Sequence, residues 1–111
     1  MTASSFGEVL TRLEALMQQR KEADPEKSYV ARLYSQGRNK IAQKVGEEAL
    51  ETVIAAVNGG HKDIVDESVD LIFHWLILLA ETGVTLDEVA AELVRREGIS
   101  GIAEKQARAE G

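Results

Sequence analysis

Several residue types are scarce in this chain of 111 residues, and each scarcity excludes a class of structure. Cysteine is absent, which excludes disulfide bridges, thiolate metal sites and cysteine nucleophiles. The longest apolar run, residues 69–80, is interrupted by Asp70 and His74 and is too short to cross a bilayer, so it predicts a core helix and no membrane partner. No strand-like alternation of polar and apolar residues occurs, which favours an all-α fold.

The remaining composition is typical of one small intracellular domain covering residues 1–111. At 12.1 kDa and 44% hydrophobic residues, the chain has enough apolar surface for a single core. No segment near the N-terminus combines a basic start, an apolar stretch and a small-residue cleavage site. We therefore expect no export signal and a cytoplasmic location.

Capping and termination signals divide the chain into helices. Ser5-x-x-Glu8 and Thr85-x-x-Glu88 have the form of capping boxes, which open helices. The single proline, Pro25, marks a break, because proline disfavours helical geometry in the residue before it. Together with the apolar spacing, these signals predict helices over residues 5–22, 28–37, 39–57, 62–82 and 85–98, with a turn or two after residue 100.

Two acidic clusters occupy consecutive predicted helices. Glu47-Glu48-x-x-Glu51 lies on the first and Glu67-x-x-Asp70 on the second. On a helical wheel the second cluster shares a stripe about 60° wide with His74, and apolar side chains fill most of the other directions. The short Asn58-Gly59-Gly60-His61 connection predicts an antiparallel helical hairpin with both clusters at similar heights. Four carboxylates can therefore converge on one volume.

Carboxylates in an apolar helix must be paired, protonated or bound to a cation. Without a metal, four converging carboxylates repel each other and some of their pKa values rise. An all-oxygen site suits a hard cation, Mg²⁺ first and Mn²⁺ as the alternative. The competing interpretation of the first cluster is a solvated acidic face in which Lys44 bridges Glu48. A di-iron bundle needs Glu-x-x-His on two helices, which neither cluster supplies. His74 either contacts a phosphate, orients a carboxylate or is a hydrogen-bonded core histidine.

Charge is distributed unevenly along the chain. Residues 20–44 contain seven Lys or Arg against three acids, whereas residues 45–111 contain five against fourteen. The net charge of −6 argues against nucleic-acid binding. A basic stretch leading into an acidic one suits a phosphorylated ligand whose metal ion sits on the acids, although ordinary surface charge gives the same pattern. The candidates for phosphate contacts are Arg38, Lys40 and Lys44.

The two acidic clusters, separated by fifteen residues, resemble the signature of the all-α nucleotide pyrophosphatase superfamily, which includes MazG-type enzymes and all-α dUTPases. Four longer stretches are similar to the phosphoribosyl-ATP pyrophosphatase family of histidine biosynthesis. They are residues 28–37 (SYVARLYSQG), 40–49 (KIAQKVGEEA), 70–76 (DLIFHWL) and 95–105 (RREGISGIAEK). Trp75 stands where an aliphatic residue is expected, which leaves the acidic pattern intact.

This resemblance implies Mg²⁺-dependent hydrolysis of 1-(5-phosphoribosyl)-ATP to 1-(5-phosphoribosyl)-AMP and pyrophosphate. By position in the motif, it implies that the metal ligands are Glu48, Glu51, Glu67 and Asp70. The other implied site residues are Glu47 as a general base or outer-shell group, Lys40, Lys44 and Arg38 near the leaving pyrophosphate, and Arg95, Ser100, Gly101 and Lys105 in the tail.

The family is dimeric or larger, so the resemblance implies a homodimer that completes the helical bundle. The nearly all-apolar helix containing Trp75 supports this independently, because one short chain has few helices with which to cover it. Two alternatives stay open. One is a related pyrophosphatase acting on dUTP or a non-standard nucleotide, and the other is a non-enzymatic helical dimerisation module.

Overall fold

The computed structural model describes residues 3–98 and 101–110, which form an all-α fold without strands in those ranges. The helices are α1 (Phe6–Arg20), α2 (Tyr29–Gln36), α3 (Arg38–Asn58), α4 (His61–Thr82), α5 (Leu86–Arg96) and α6 (Gly101–Glu110). The predicted fold class and helix order are confirmed. The tail is more helical than predicted, since α6 has ten residues rather than a turn or two.

The predicted capping residues act as caps. The Ser5 hydroxyl accepts from the backbone N–H of Glu8, and Thr85 and Glu88 satisfy each other's backbone N–H groups in a capping box. Gly83 ends α4 with φ of 77°, a left-handed conformation that side chains with a Cβ rarely adopt. Helix boundaries therefore follow from local side-chain chemistry.

The hydrophobic core lies where α1, α2 and the start of α3 meet the C-terminal half of α4. Met17, Ile41 and Ile77 are fully buried there, and Leu33 and Leu76 pack in the same cluster. Burying a side chain of this size stabilises the fold by about 1.5–3 kcal/mol. This end of the hairpin is therefore the anchored one.

One face of the N-terminal half of α4 is left exposed by the residues that the structure describes. Val65 is 50% and Val69 58% exposed, whereas Leu76 is 2% exposed. The expectation that this helix is buried on most sides is therefore wrong for its first half within a single chain. The physical reason is that α5, the next element available to cover it, buries none of its own residues.

We call α5 and α6 the C-terminal arm. Glu14 Oε2 on α1 accepts a hydrogen bond from the backbone N–H of Leu86 at 2.8 Å and so ties the start of the arm to α1. This bond satisfies one of the donors left open at the start of α5.

None of the described helices is by itself long and apolar enough to cross a membrane. Helices α4 and α5 reach that threshold only when taken as a pair, and they are bent by 108° at their junction. Largely buried core helices reach the same threshold. The absence of a membrane partner remains a prediction.

Candidate metal and phosphate site

The α3–α4 hairpin brings the two acidic clusters to the same level. One carboxylate oxygen from each of Glu48, Glu67 and Asp70 lies within 4.8 Å of the others. The reversal that allows this requires glycine at position 59, because a Cβ there would lie 2.8 Å from the carbonyl oxygen of Ala55. A side chain at that position would push the end of α3 away from the start of α4.

A hydroxyl joins the two helices at this level. Thr52 Oγ1 lies 2.8 Å from the carbonyl oxygen of Glu48 on its own helix and 3.2 Å from that of Glu67 on α4. Its single proton is shared between the two carbonyls, one of which belongs to the opposite helix. Thr52 therefore holds together the backbone segments that carry two of the carboxylates.

The carboxylates of Glu48 and Glu67 lack ordinary hydrogen-bond partners. Glu48 is only 7% exposed, and the Oε2 atoms of both side chains are buried without a partner. Burial, and next the neighbouring Glu51 carboxyl, raises the pKa of each of these two groups. Buried anionic oxygens without donors are the ligands that a hard cation accepts, so the donor set fits Mg²⁺ or Mn²⁺.

Glu51 is the more exposed of the two predicted ligands on α3. Its carboxyl lies beside those of both Glu48 and Glu67, because it contributes to the raised pKa of each. The tight group within 4.8 Å consists of Glu48, Glu67 and Asp70, and Glu51 borders it. The four-carboxylate ligand set stays a prediction with this geometry.

Glu47 has a different environment from its neighbour Glu48. Glu47 is exposed. Its Oε1 accepts a hydrogen bond from Gln43 Nε2 at 2.7 Å, and its Oε2 pairs with Lys44 Nζ at 3.3 Å. Hydrogen bonds from Gln43 and then Lys44 lower the pKa of Glu47. A carboxylate with a lowered pKa is a weaker base, so these contacts favour the outer-shell role over the general-base role.

The predicted phosphate-binding residues are arranged along α3. Lys44 Nζ is 3.9 Å from Glu48 Oε1, directly beside the carboxylate cluster. Lys40 is half-buried and near enough to contribute to the lowered pKa of Glu47. Arg38 lies ten residues before Glu48, about 15 Å along the helix axis, and pairs with Glu81. Of these three residues, Lys44 is the one that forms an ion pair with an acid of the cluster.

His74 is 6% exposed and both of its ring nitrogens have protein partners. Nδ1 lies 2.7 Å from the carbonyl oxygen of Asp70, and Nε2 lies 2.8 Å from the hydroxyl of Tyr29. This geometry favours the hydrogen-bonded core histidine among the three roles that the sequence left open.

The predicted tail residues lie on the C-terminal arm. Arg95 forms a bidentate pair with Glu92 on α5, and Lys105 is exposed on α6, which begins at Gly101. Ser100 lies outside the described residues. The substrate contacts predicted for this segment stay predictions.

Three residues that contact the predicted site residues were not themselves singled out from the sequence: Tyr29, Gln43 and Thr52. Gln43 and Thr52 each lie four residues from an acid of the first cluster, a spacing that places side chains together on a helix. That spacing could have identified both of them. Tyr29 is 45 residues away from His74, so no local pattern reports their contact.

A groove of about 300 Å³ adjoins the carboxylates on the side of the hairpin turn. Glu51 and Glu67 line the end near the cluster, and Ile54, Asn58 and Asp63 line the rest. The carboxylates therefore lie between a basic segment of α3 and a groove with apolar and polar walls.

Comparison with known proteins identifies the family. Residues 10–97 match the family model described as phosphoribosyl-ATP pyrophosphohydrolase. The chain belongs to this family. The matched region contains α2 to α5 and every acidic residue of both clusters.

Curated relatives agree over nearly the whole chain. The phosphoribosyl-ATP pyrophosphatase of Novosphingobium aromaticivorans is 58% identical over 92% of this chain and 95% of its own length. That of Erythrobacter litoralis is 59% identical over 89% of this chain and 95% of its own. The enzyme of Sphingopyxis alaskensis is 55% identical over 96% of this chain and 99% of its own length. The predicted family membership is confirmed.

Proposed function

We propose that this chain hydrolyses 1-(5-phosphoribosyl)-ATP to 1-(5-phosphoribosyl)-AMP and pyrophosphate in the cytoplasm, the second step of histidine biosynthesis. Family membership supports the reaction, and the relatives carry the name of this enzyme. The observation that carries the chemistry is the pair of buried, unpartnered oxygens of Glu48 and Glu67 next to Asp70. Such a group of acids suits a reaction on a metal-bound polyphosphate.

In the proposed reaction a water oxygen attacks the α-phosphorus, and the bond from that phosphorus to the bridging oxygen of the β-phosphate breaks. The water oxygen stays on phosphoribosyl-AMP, pyrophosphate leaves with the bridging oxygen, and the proton lost by the water passes to the solvent. Glu48, Glu51, Glu67 and Asp70 would hold the metal. A Mg²⁺ ion held there would neutralise charge on the triphosphate and would lower the pKa of the attacking water.

The remaining roles fall to residues beside the acids. Lys44, next to Glu48, would stabilise the charge that develops on the departing pyrophosphate, with Lys40 further along α3. Arg38, at the far end, would reach a terminal phosphate only after leaving Glu81. Glu47, held by Gln43 and Lys44, would fix the position of Lys44.

We also propose that the active form is a homodimer. The hairpin exposes a row of large apolar side chains, which include Val57 at 74%, Val53 at 58% and Val69 at 58%. An apolar cleft of about 340 Å³ lies along α5 beside Leu93. Apolar surface repeated on several helices is typical of an interface between copies of one chain.

Pyrophosphate release, followed by a coupled assay, tests the reaction. The wild-type chain should act on phosphoribosyl-ATP in preference to a panel containing ATP, dUTP and non-standard nucleoside triphosphates. Preference for a free nucleotide would favour the related nucleotide pyrophosphatase. Absence of activity with every substrate and metal would favour a non-enzymatic dimerisation module.

Sedimentation velocity tests the oligomeric state separately from the reaction. The wild-type chain should sediment at twice the monomer mass. The variant Val57→Lys, which places a charge on the exposed apolar row, should shift toward the monomer. A wild-type chain that sediments as a monomer at assay concentrations would contradict the proposed dimer without touching the reaction.

A further inference from the structure

The hydroxyl of Tyr29 is fixed in direction although its side chain is not buried. Tyr29 is 46% exposed, yet its hydroxyl lies 2.8 Å from Nε2 of His74, which is 6% exposed. The His74 ring is confined by edge contacts with Tyr29 and Phe73, at centroid distances of 5.7 and 5.6 Å. An exposed residue is here held by a buried one.

The hydrogen-bond partners determine which group donates. His74 Nδ1 faces the carbonyl oxygen of Asp70 at 2.7 Å, and a carbonyl only accepts, so Nδ1 carries the proton. In the neutral ring Nε2 then has a lone pair, and the Tyr29 hydroxyl donates to it. The only Tyr29 proton therefore points inward, and the oxygen presents acceptor lone pairs outward.

Tyr29 is the first residue of α2, and its backbone is positioned by the Ser28 cap. His74 connects the Tyr29 ring to the acidic cluster. His74 follows the predicted ligand Asp70 by one helical turn, and its Nδ1 lies 2.7 Å from the Asp70 carbonyl oxygen. The outward lone pairs of the Tyr29 oxygen thus lie at the edge of the site.

We propose that Tyr29 is a substrate-binding residue that accepts a hydrogen bond from a sugar hydroxyl of the nucleotide, and that His74 is the residue that positions it. Phosphate oxygens are acceptors and would be repelled by an oxygen with no outward proton. Sugar hydroxyls are donors and match it. The inference rests on the proposed function for the identity of the nucleotide.

The matched pair of variants is Tyr29→Phe and Tyr34→Phe, because both residues lie on α2 and each loses one hydroxyl. Tyr34 donates to the carbonyl oxygen of Met17 at 2.9 Å, inside the fold. Tyr29→Phe should raise the KM for phosphoribosyl-ATP about five- to tenfold with kcat changed less than about twofold, as expected for one neutral hydrogen bond. Tyr34→Phe should lower the melting temperature and leave KM unchanged.

Product inhibition separates sugar contacts from phosphate contacts. Tyr29→Phe should weaken inhibition by phosphoribosyl-AMP by the same factor as KM and leave inhibition by pyrophosphate unchanged, because pyrophosphate has no sugar hydroxyl. Equal weakening of both inhibitors, or an unchanged KM, would overturn the proposal.

The positioning role of His74 is tested by a double-mutant cycle. His74→Phe keeps a ring between Tyr29 and Phe73 and removes Nε2. Its effect on the inhibition constant of phosphoribosyl-AMP should disappear in the Tyr29→Phe background, since His74 acts through Tyr29. Additive effects would overturn this role. If His74→Phe does not fold, the comparison of Tyr29→Phe with Tyr34→Phe still decides the substrate contact.

Calorimetry with AMP and pyrophosphate keeps this inference separate from the proposed reaction. If the wild-type chain fails to cleave phosphoribosyl-ATP, the proposed function fails. Weaker AMP binding by Tyr29→Phe with unchanged pyrophosphate binding would still support the sugar contact. The same comparison with ribose 5-phosphate covers the second sugar of phosphoribosyl-AMP, and equal binding of both AMP and ribose 5-phosphate by the two proteins would contradict the proposal.

Discussion

The hairpin and the C-terminal arm each contain a cluster of charged side chains, and the two clusters have opposite electrostatics. On α5, Glu92 Oε1 lies 2.7 Å from Arg95 Nη2 and 2.9 Å from Arg96 Nε, and these hydrogen bonds lower the pKa of Glu92 to about 2. On the hairpin, burial and the neighbouring Glu51 raise the pKa of Glu48 and Glu67.

The difference shows which acids are satisfied within the fold. Glu92 has its counter-charges one helical turn away, as helix spacing provides, and its cluster is a surface ion pair. Glu48 and Glu67 have carboxylates as neighbours and oxygens without donors, so either a bound cation or a proton would relieve the repulsion between them. The hairpin cluster is therefore suited to a ligand, and the arm cluster is suited to holding α5 together.

The largest expected effect comes from removing one charge of the hairpin cluster. Asp70→Asn should reduce kcat/KM by more than about 100-fold, because even outer partners of metal ligands contribute 10- to 100-fold. Steady-state pyrophosphate release at saturating Mg²⁺ measures it.

The matched control is Asp66→Asn on the same helix. Asp66 pairs with Lys62 at 2.9 Å on the exposed side of α4, so its loss should change kcat/KM by less than about twofold. Full turnover by Asp70→Asn, or equal losses in both variants, would refute the assignment of Asp70.

The next largest effect is on the melting temperature, and removing one acid should change it in opposite directions in the two clusters. In the presence of a chelator, Glu51→Gln should raise the melting temperature by several degrees, because it removes repulsion from Glu48 and Glu67. Glu92→Gln should lower it slightly, because it removes the partner of two arginines. Differential scanning calorimetry measures both, and a lower melting temperature for Glu51→Gln would be the contrary result.

The third effect is on the pH dependence of folding stability, which should differ in sign between the two clusters. A raised pKa in the folded state means that folding takes up protons, so the chelated protein should gain stability as pH falls from neutral toward 4.5 through the raised pKa values of Glu48 and Glu67. A lowered pKa has the opposite sign. The contribution of Glu92 is present above its ordinary pKa of 4.5 and is lost as pH falls to about 2.

Melting temperatures between pH 8 and pH 2 check this contrast. Glu51→Gln should reduce the change in melting temperature between neutral pH and pH 4.5. Glu92→Gln should reduce the change between pH 4.5 and pH 2. If saturating Mg²⁺ leaves the melting temperatures of the wild-type chain between neutral pH and pH 4.5 unchanged, Glu48 and Glu67 do not bind the ion.

The smallest expected effect concerns the bond between the two helices. Thr52→Val should destabilise the fold by about 1 kcal/mol, since it removes the hydroxyl shared between α3 and α4. Thr82→Val is the matched control, because the Thr82 hydroxyl bonds only to carbonyls of its own helix. Equal urea midpoints for the two variants would exclude the cross-helix role of Thr52.

Much of the backbone course and the meeting of the two acidic clusters could be predicted from the sequence. Capping by Ser5 and Thr85 is decided within a few residues, and the Gly59 turn forces the two clusters to similar heights. Such features depend on local chemistry and helix periodicity alone, which a sequence displays directly.

Other features of the site depend on contacts between segments that are distant in the sequence. The hydroxyl of Tyr29 meets His74 across 45 residues, and the Thr52 hydroxyl reaches a carbonyl on another helix. Each contact requires the packing of a whole helix to be known, because a helical pattern gives a face but not the partner of that face. The exposed first half of α4 was missed for the same reason.

Anomalous diffraction from crystals grown with MnCl₂ tests the central claim most directly. Manganese replaces magnesium in oxygen sites and has a measurable anomalous signal, so the account predicts a peak at coordinating distance from the carboxylates of Glu48, Glu67 and Asp70. The peak should be absent in Asp70→Asn crystals grown in the same way. Ordered carboxylates without a peak, in protein that releases pyrophosphate with Mn²⁺ in solution, would contradict it.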